Sequence, residues 1–285
     1  MRAEAVAPSG WRLGARELET YRGEGLVVPP FRFEGDWLER LRSGTERLVA
    51  ENPDIRPEAL DTAHIVNNPT SPVIGNTELL DFALGNPALE LVQQLIGPDI
   101  ILWNTHLFLK PPGDGKEVPW HQDGQYWPIR PLATCSLWIA LDQVDEENGA
   151  LRYVPGSHSG RVYAHHTDND ERLSLNQVLD EGQLPLQDAP LVKLGLGEFS
   201  LHDVYLVHGS AANRSTRRRS GFAIRYMPAS SLFDHGIRRG ELKADFSQRP
   251  LWLVRGRDRA GNDFQTGHGD GSVQHGKRPA RSGEK

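Results

Sequence analysis

Cysteine is nearly absent from this sequence. Cys135 is the only one among 285 residues, which excludes an intrachain disulfide framework and makes a reducing cytoplasm the natural setting. No run of 18 apolar residues occurs, so a transmembrane helix is excluded. The first residues, MRAEAVAPSGWRLGARELE, hold no apolar stretch of the kind a signal peptide needs, and none is expected. Excess positive charge is missing too: 32 Lys and Arg against 38 Asp and Glu leave a net charge of −6. That removes the electrostatic footprint of a nucleic-acid binder. The one dense basic run, Arg217, Arg218 and Arg219, is short enough to be a solvated turn. No internal repeat is present.

What the chain does have is the make-up of an ordinary globular protein, 38% hydrophobic and 25% charged. It is long enough to bury a core without covalent staples. Its length is compatible with two domains or with one barrel. Residues 16–50 carry helical spacing through Leu38, Leu41, Leu48 and Val49, with Asp36 placed to cap them. A second helical stretch runs from Thr77 to Ile96, interrupted at Asn86-Pro87 and stopped by Gly97-Pro98.

After Pro98 the period changes to two. In the strand Ile100–Leu109, Trp103, Thr105, Leu107 and Leu109 are expected on one face, and Leu102, Asn104, His106 and Phe108 on the other. In 133–141, Cys135, Leu137, Ile139 and Leu141 oppose Thr134, Ser136, Trp138 and Ala140. Short strands follow near 150–154, 191–193, 199–208 and 219–227, which predicts a sandwich or barrel. Residues 159–190 are polar and expected to cover one end. The chain is expected to form a single domain over 1–254, with a helical part at 16–97 and a β core at 98–228. A flexible polar tail is expected over 255–285.

The chain has eleven histidines, and three positions stand out as a set: His121, Asp123 and His208. His121 and Asp123 are two apart, on one face if they share a strand. His208 follows 85 residues after Asp123, at the end of the apolar run Val204–Val207. Two histidines and one carboxylate are the facial ligand set of non-haem Fe(II) oxygenases, which leaves coordination positions open. Bulky neighbours, Pro119-Trp120 and Tyr126-Trp127-Pro128, argue against a solvated turn. Arg219 is expected to return beside His208 in a hairpin through the turn-forming Asn213, Ser215 and Thr216. A buried guanidinium there calls for a carboxylate, such as the far end of a dicarboxylate cosubstrate. Gly221 and Ala223, on the same face, are expected to leave room for it. The loop Lys110–Lys116 is not a phosphate-binding loop, because Gly115-Lys116 is followed by Glu117 and no helix follows. His165-His166 reads as solvated loop.

The segments WHQDGQYWPIRP, LWIALDQVDEENGALRYVPGSHSG and LVHGSAANRSTRRRSGFAIRYMP resemble the phytanoyl-CoA dioxygenase family, from about Val27 to Met227. The resemblance implies a mainly β fold with flanking helices, a double-stranded β-helix (jelly roll, cupin-like) with helices packed on one sheet. It implies an oxidoreductase, a hydroxylase dependent on Fe(II), 2-oxoglutarate and O2. Its iron ligands would be His121, Asp123 and His208, and Arg219 would hold the distal carboxylate of 2-oxoglutarate. Trp138, Ser210, Gln122, Asn104 and His106 fall on positions that line the cofactor pocket. The family's upstream cofactor-contacting lysine has no counterpart in 63–67, where His64 is the nearest candidate. His202, six residues before His208, is not counted as a ligand. In halogenating relatives the carboxylate ligand is Gly or Ala; Asp123 therefore favours hydroxylation. The expected partner is a small metabolite or natural-product intermediate, chosen by residues 64–75, 125–131, 159–190 and 226–240, with neither nucleic acid nor membrane involved. Alternatives are desaturation or cyclisation on the same centre, a non-oxidative cupin-like zinc enzyme, or a metal-binding domain. The zinc enzyme leaves Arg219 unexplained, and loss of a ligand would point to a mere metal-binding domain, whereas all three ligands are present. Oligomeric state is not readable from the sequence.

Overall fold

The computed structural model describes residues 10–124, 126–159, 162–237, 245–266 and 274–275. Helix α1 (Ala15–Glu24) ends at Gly25, and α2 (Gly35–Glu51) follows a short strand, β1 (Leu26–Val27). The helical spacing over 16–50 is therefore two helices. Asp36 is not the cap: Glu34 holds that position, and Asp36 sits in the first turn, where its charge still suits the helix dipole. Helices α3 (Thr77–Gly85) and α4 (Leu89–Ile96) divide at Asn86-Pro87 as expected. The Asn76 side chain caps α3 by accepting the Leu79 N–H.

The remaining strands are β2 (Leu60–Asp61), β3 (Ile100–Lys110), β4 (Val118–His121), β5 (Ile129–Arg130), β6 (Cys135–Ala140), β7 (Leu151–Tyr153), β8 (His165–Thr167), β9 (Gln177–Leu179), β10 (Leu191–Val192), β11 (Phe199–Asp203), β12 (His208–Ser210), β13 (Arg219–Pro228), β14 (Leu232–Phe233), β15 (Trp252–Arg255), β16 (Gln265–Thr266) and β17 (Gln274–His275). They build two main antiparallel sheets. The larger runs β1-β11-β6-β13-β3-β15 with β2 added to β3, and the smaller runs β10-β7-β12-β4. This is the expected mainly β, jelly-roll arrangement. Cys135, Leu137 and Ile139 of β6 face the helices and join Leu41, Leu48, Leu79 and Phe82 in one buried core. Trp138 and Ala140, on the opposite face, pack with Tyr153, Val192 and Ala223 between the sheets. The helices thus cover one face of the larger sheet, and the other face is left to form a cavity.

Three local departures decide what that cavity contains. First, β13 pairs residue for residue with β3 from Arg219↔Lys110 to Arg225↔Asn104, and then Tyr226 pairs with Leu102. Trp103 is the extra residue of a β-bulge. The expected alternation breaks there: Leu102 faces the helices, while Trp103 and Asn104 both line the cavity. Second, residues 199–208 are two strands. β11 belongs to the larger sheet and β12 to the smaller, with 204–207 crossing between them. Third, no hairpin joins His208 to Arg219, because β12 and β13 lie in different sheets.

The segment expected to cover one end forms the β8–β9 hairpin beside β4. The expected tail does not begin at 255: Arg255 ends β15, paired to β3, and Asn262 is buried, accepting the Phe233 N–H and donating to Ser231 O. The tail residues 267–273 and 276–285 lie outside the described residues, as do 125, 160–161 and 238–240 of the expected substrate-selecting segments. Among the described residues no helix is long and apolar enough to cross a membrane.

Candidate metal centre and cavity

His121 ends β4 and His208 begins β12, and the two are direct partners across the antiparallel pair. Their ring centroids are 4.3 Å apart. Asp123 is not on the strand with His121; it lies just past its end, in a bend. The bend needs glycine next: a Cβ on Gly124 would meet Val204 Cγ2 at 2.2 Å. That close approach turns Asp123 back toward the histidines, with its Oδ1 3.6 Å from His121 Nε2. One ligand atom from each of His121, Asp123 and His208 lies within 4.8 Å of the others, and all three residues are buried.

The donor set is arranged for a cation. His121 Nδ1 donates to Pro119 O at 2.8 Å and His208 Nδ1 to Leu206 O at 2.9 Å. A carbonyl only accepts, so each Nδ1 carries the proton and each Nε2 presents a lone pair. Burial, then the neighbouring His121, pushes His208 down to about 3, so it is neutral at pH 7. Burial alone would raise the Asp123 carboxyl, but Arg225, His121 and His202 outweigh it and hold it well below the usual carboxylate range. Asp123 Oδ2 is buried without a hydrogen-bond partner, a cost that a bound cation removes.

The triad sits in the wall of a cavity of about 210 Å³ between the sheets. Arg219 lines it although the expected hairpin is absent. It starts β13 on the larger sheet and reaches the cavity from across the fold. Its Nε and Nη2 donate to Gly149 O, and its guanidinium carbon lies 5.1 Å from the Trp138 ring centroid. It is 3% exposed, and burial uncompensated by any carboxylate lowers it to about 10. It stays charged at pH 7. Gly221 does not leave room for a ligand: an added Cβ would fall 1.8 Å from the Trp138 ring, so the glycine makes space for that indole.

Trp138 and Ser210 line the cavity beside Arg219. Asn104 and His106 also line it, but nearer Arg225, which is paired with Asn104 six residues along β13. Gln122 does not line it. Neighbours in an extended chain point in opposite directions, and its amide ties two loops together instead, donating to Tyr205 O and accepting the Tyr163 N–H. His64 is buried elsewhere, against Trp252 and Thr105 Oγ1. His202 does stand at the centre: its Nε2 is 3.7 Å from Asp123 Oδ2 and its ring 5.1 Å from that of His208. His165 is half-buried rather than free loop, accepting the Gln122 N–H through Nε2; His166 pairs with Asp180 at the surface.

Two further buried cations stand at the site, and neither is named as a site residue from the sequence. Lys110 ends β3 fully buried beside Arg219, its Nζ donating to Ser210 O, Ser210 Oγ and Ala211 O. Burial, then the Arg219 charge, pushes it down to about 6. Arg225 is buried, with Nη1 donating to Asn104 Oδ1 at 3.1 Å and Nη2 3.5 Å from Asp123 Oδ1. Arg225 had a signal, since it is six residues from Arg219 on one strand and so shares its face. Lys110 had none: what buries it is the loop 210–211 of the other sheet.

The sequence profile of the phytanoyl-CoA dioxygenase (PhyH) family matches residues 21–221. A probable alpha-ketoglutarate-dependent hypophosphite dioxygenase of Stutzerimonas stutzeri is 35% identical over 203 residues, covering 68% of this chain and 62% of that protein. The chain thus spans less than two thirds of that relative's length. The peroxisomal phytanoyl-CoA dioxygenase of Rattus norvegicus is 27% identical over 234 residues, covering 75% of this chain and 68% of that one. Among solved structures, the non-heme monooxygenase ThoJ superposes with a TM-score of 0.64 at 23% identity, over 85% of this chain and 84% of that one. The non-heme alpha-ketoglutarate-dependent carbocyclase SnoK from nogalamycin biosynthesis does so at 0.64 and 21% identity, over 82% and 93%. The two structures share the fold.

Proposed function

Because the chain belongs to the phytanoyl-CoA dioxygenase family, we propose that it is an Fe(II)- and 2-oxoglutarate-dependent dioxygenase of the cytoplasm that hydroxylates a C–H bond of a small metabolite. The observation that carries this is one cavity holding both a two-histidine, one-carboxylate set within 4.8 Å and a buried arginine without a carboxylate. Geometry and donor chemistry fit Fe(II): both Nε2 atoms carry lone pairs, and Asp123 Oδ2 lacks a partner. His121, Asp123 and His208 would hold the metal. Arg219 would grip the distal carboxylate of 2-oxoglutarate, because its bond to Gly149 O uses Nε and Nη2 and leaves Nη1. Ser210 Oγ, which accepts from Lys110, keeps its own proton to donate to the same carboxylate.

When bound, iron and 2-oxoglutarate supply the oxidising chemistry, in which dioxygen is activated as the 2-oxo acid becomes succinate and CO2 and one oxygen atom enters the substrate. The protein's own residues bind, orient and exclude water. Trp138 covers the Arg219 end with an indole packed among Ala140, Tyr153 and Ala223, so the charged contact forms away from bulk solvent. The non-oxidative zinc reading leaves that buried cation unexplained. The test is aerobic incubation with Fe(II), 2-oxoglutarate and a metabolite extract, read by mass spectrometry. Substrate-dependent succinate with a +16 product supports hydroxylation; a product 2 mass units lighter would reassign the outcome to desaturation or cyclisation. Absence of any 2-oxoglutarate turnover would overturn the reading.

A further inference from the structure

Six residues along β13 from Arg219, at Arg225, the cavity is also lined by Asp61, Asn104, His106, Trp103 and Trp127, with Arg225 Nη2 3.5 Å from Asp123 Oδ1. The mechanism above uses neither Arg225 nor these five lining residues. Arg225 points into the cavity from β13 with only 10% of its side chain exposed, and its guanidinium carbon lies 5.3 Å from the Trp127 ring. Behind it Arg249 is 3% exposed and lies over Phe246. Two buried guanidinium groups therefore serve one part of the cavity.

The carboxylates available to them do not match. Asp123 is committed to the metal set. Arg249 has Asp61, whose Oδ2 is 3.7 Å from its Nη2, and the charge of Asp245 nearby. Asp61 is also claimed by Asn104 Nδ2 at 2.9 Å and approached by His106 at 3.7 Å. Arg225 by contrast has Asp123 as its carboxylate, so once Asp123 is given to a metal the shortfall of counter-charge falls on Arg225. Donors are left over as well: among the described residues Arg225 Nε, Arg249 Nε, Arg249 Nη1 and Trp103 Nε1 are buried without a hydrogen-bond partner. Burial lowers Arg249 in spite of the Asp61 and Asp245 charges. A buried cation without a partner is costly, and a ligand anion removes that cost.

We propose that this part of the cavity binds an anionic group of the primary substrate, with Arg225 as the contacting cation and Arg249 and Asn104 positioning it. The substrate is then a small acid carrying a carboxylate or a phosphorus oxyanion, held with its reacting bond toward the triad. This rests on the functional reading above, and it deepens it by naming the substrate class. Asn104 Oδ1 accepts from Arg225 and Asn104 Nδ2 donates to Asp61, so the amide fixes the guanidinium against the wall. The guanidinium fork suits the two oxygens of either anion.

The experiment uses the full chain with Ni(II) and saturating 2-oxoglutarate, so that Arg219 is already occupied and no turnover occurs. Propionate, hypophosphite and methylphosphonate are titrated against tryptophan fluorescence, because Trp103 and Trp127 line this part; propionamide is the neutral control. At least one anion should bind saturably and at least tenfold more tightly than the amide, and the better binder separates carboxylate from phosphorus oxyanion. Arg225→Gln should weaken that anion at least tenfold while leaving 2-oxoglutarate affinity within twofold, and Arg225→Lys should recover part of the loss. If all three anions bind no better than propionamide to the wild type, the proposal falls without any variant having to fold. A matching loss of 2-oxoglutarate affinity in Arg225→Gln would also overturn it, by giving the arginine to the cosubstrate. Failure of the functional reading would look different: no metal-to-ligand absorbance band with Fe(II) and 2-oxoglutarate, whatever the anions do.

Discussion

Replacing Arg219 by alanine separates the oxygenase reading from every reading that uses the metal alone. The guanidinium is 3% exposed, bonded among the described residues only to the Gly149 carbonyl, and lies over Trp138. A hydrogen-bonded charge pair in such a place is worth about 1.5–3 kcal/mol, or roughly ten- to a hundredfold in affinity. Arg219→Ala should therefore raise the Kd for 2-oxoglutarate by about that factor and leave Fe(II) affinity nearly unchanged, since the guanidinium is no ligand. Arg219→Lys keeps the charge but loses the planar fork, and should fall between. The neighbours are built-in controls: Arg217 pairs with Asp145 and Glu147 at the surface, and Arg218 with Asp142 and Glu46. Neither lines the cavity. The assay is an anaerobic titration of the Fe(II) protein followed by the metal-to-ligand absorbance band. Small, equal effects at all three arginines would refute the assignment.

Alanine at His121, Asp123 or His208 should abolish Fe(II) binding by equilibrium dialysis while the far-ultraviolet circular dichroism stays native, because the three residues form a site and not a core; full turnover in Asp123→Ala would disprove the ligand set. Asp123→Gly should open a position to halide, and the wild type should make no chlorinated product by mass spectrometry even in high chloride. Gly221→Ala drives a methyl into the Trp138 ring, and overpacking of that kind costs about 1–3 kcal/mol, so its Tm should fall by several degrees; an unchanged Tm would show that the indole is free to move. Lys110, pushed down to about 6 by burial and Arg219, should take up part of a proton when a carboxylate binds next to it at pH 7.5. Affinity for 2-oxoglutarate should then fall as pH rises above 6, and calorimetry in buffers of different ionisation enthalpy should show uptake in the wild type and none in Lys110→Met.

The triad was legible because metal ligands are few, chemically distinctive and close to bulky apolar residues. The elements carrying them were less so. Spacing put His121 and Asp123 on one strand and ran a single strand through 199–208, since an apolar run such as Val204–Val207 looks the same whether it stays in a sheet or crosses between two. The crossing is what matters: it moves His208 onto the sheet that holds His121, while His202 stays on the other and faces it across the cavity. Gln122 fell on a family position yet turns away, because what fixes its direction is the pleat and the carbonyl of Tyr205. Lys110 falls with the basic loop 110–116 in the sequence, whereas it ends β3 and is buried by residues 210–211.

Trp103 shows why one face assignment on β3 failed and why the failure bears on function. A strict period of two places Trp103 with Thr105 and Leu107, toward the helices. A bulge costs one ladder position and leaves no trace in the alternation of apolar residues, because Leu102 and Trp103 are both apolar. Its effect is to carry Trp103 and Asn104 together to the inner face, opposite Arg225. Without it, either the indole or the amide would be buried under the helices. Arg225 would then lack the Asn104 oxygen that orients it, or the aromatic wall formed by Trp103 against Trp127 at 4.4 Å. β13 by contrast is regular through this region, so Arg219 and Arg225 reach the cavity from one unbroken strand, six residues and roughly 20 Å apart along the backbone. The span sets the two cations apart in one cavity, with Arg225 beside the triad at Asp123. One bulged strand beside one straight strand is thus enough to give the cavity two separate cations.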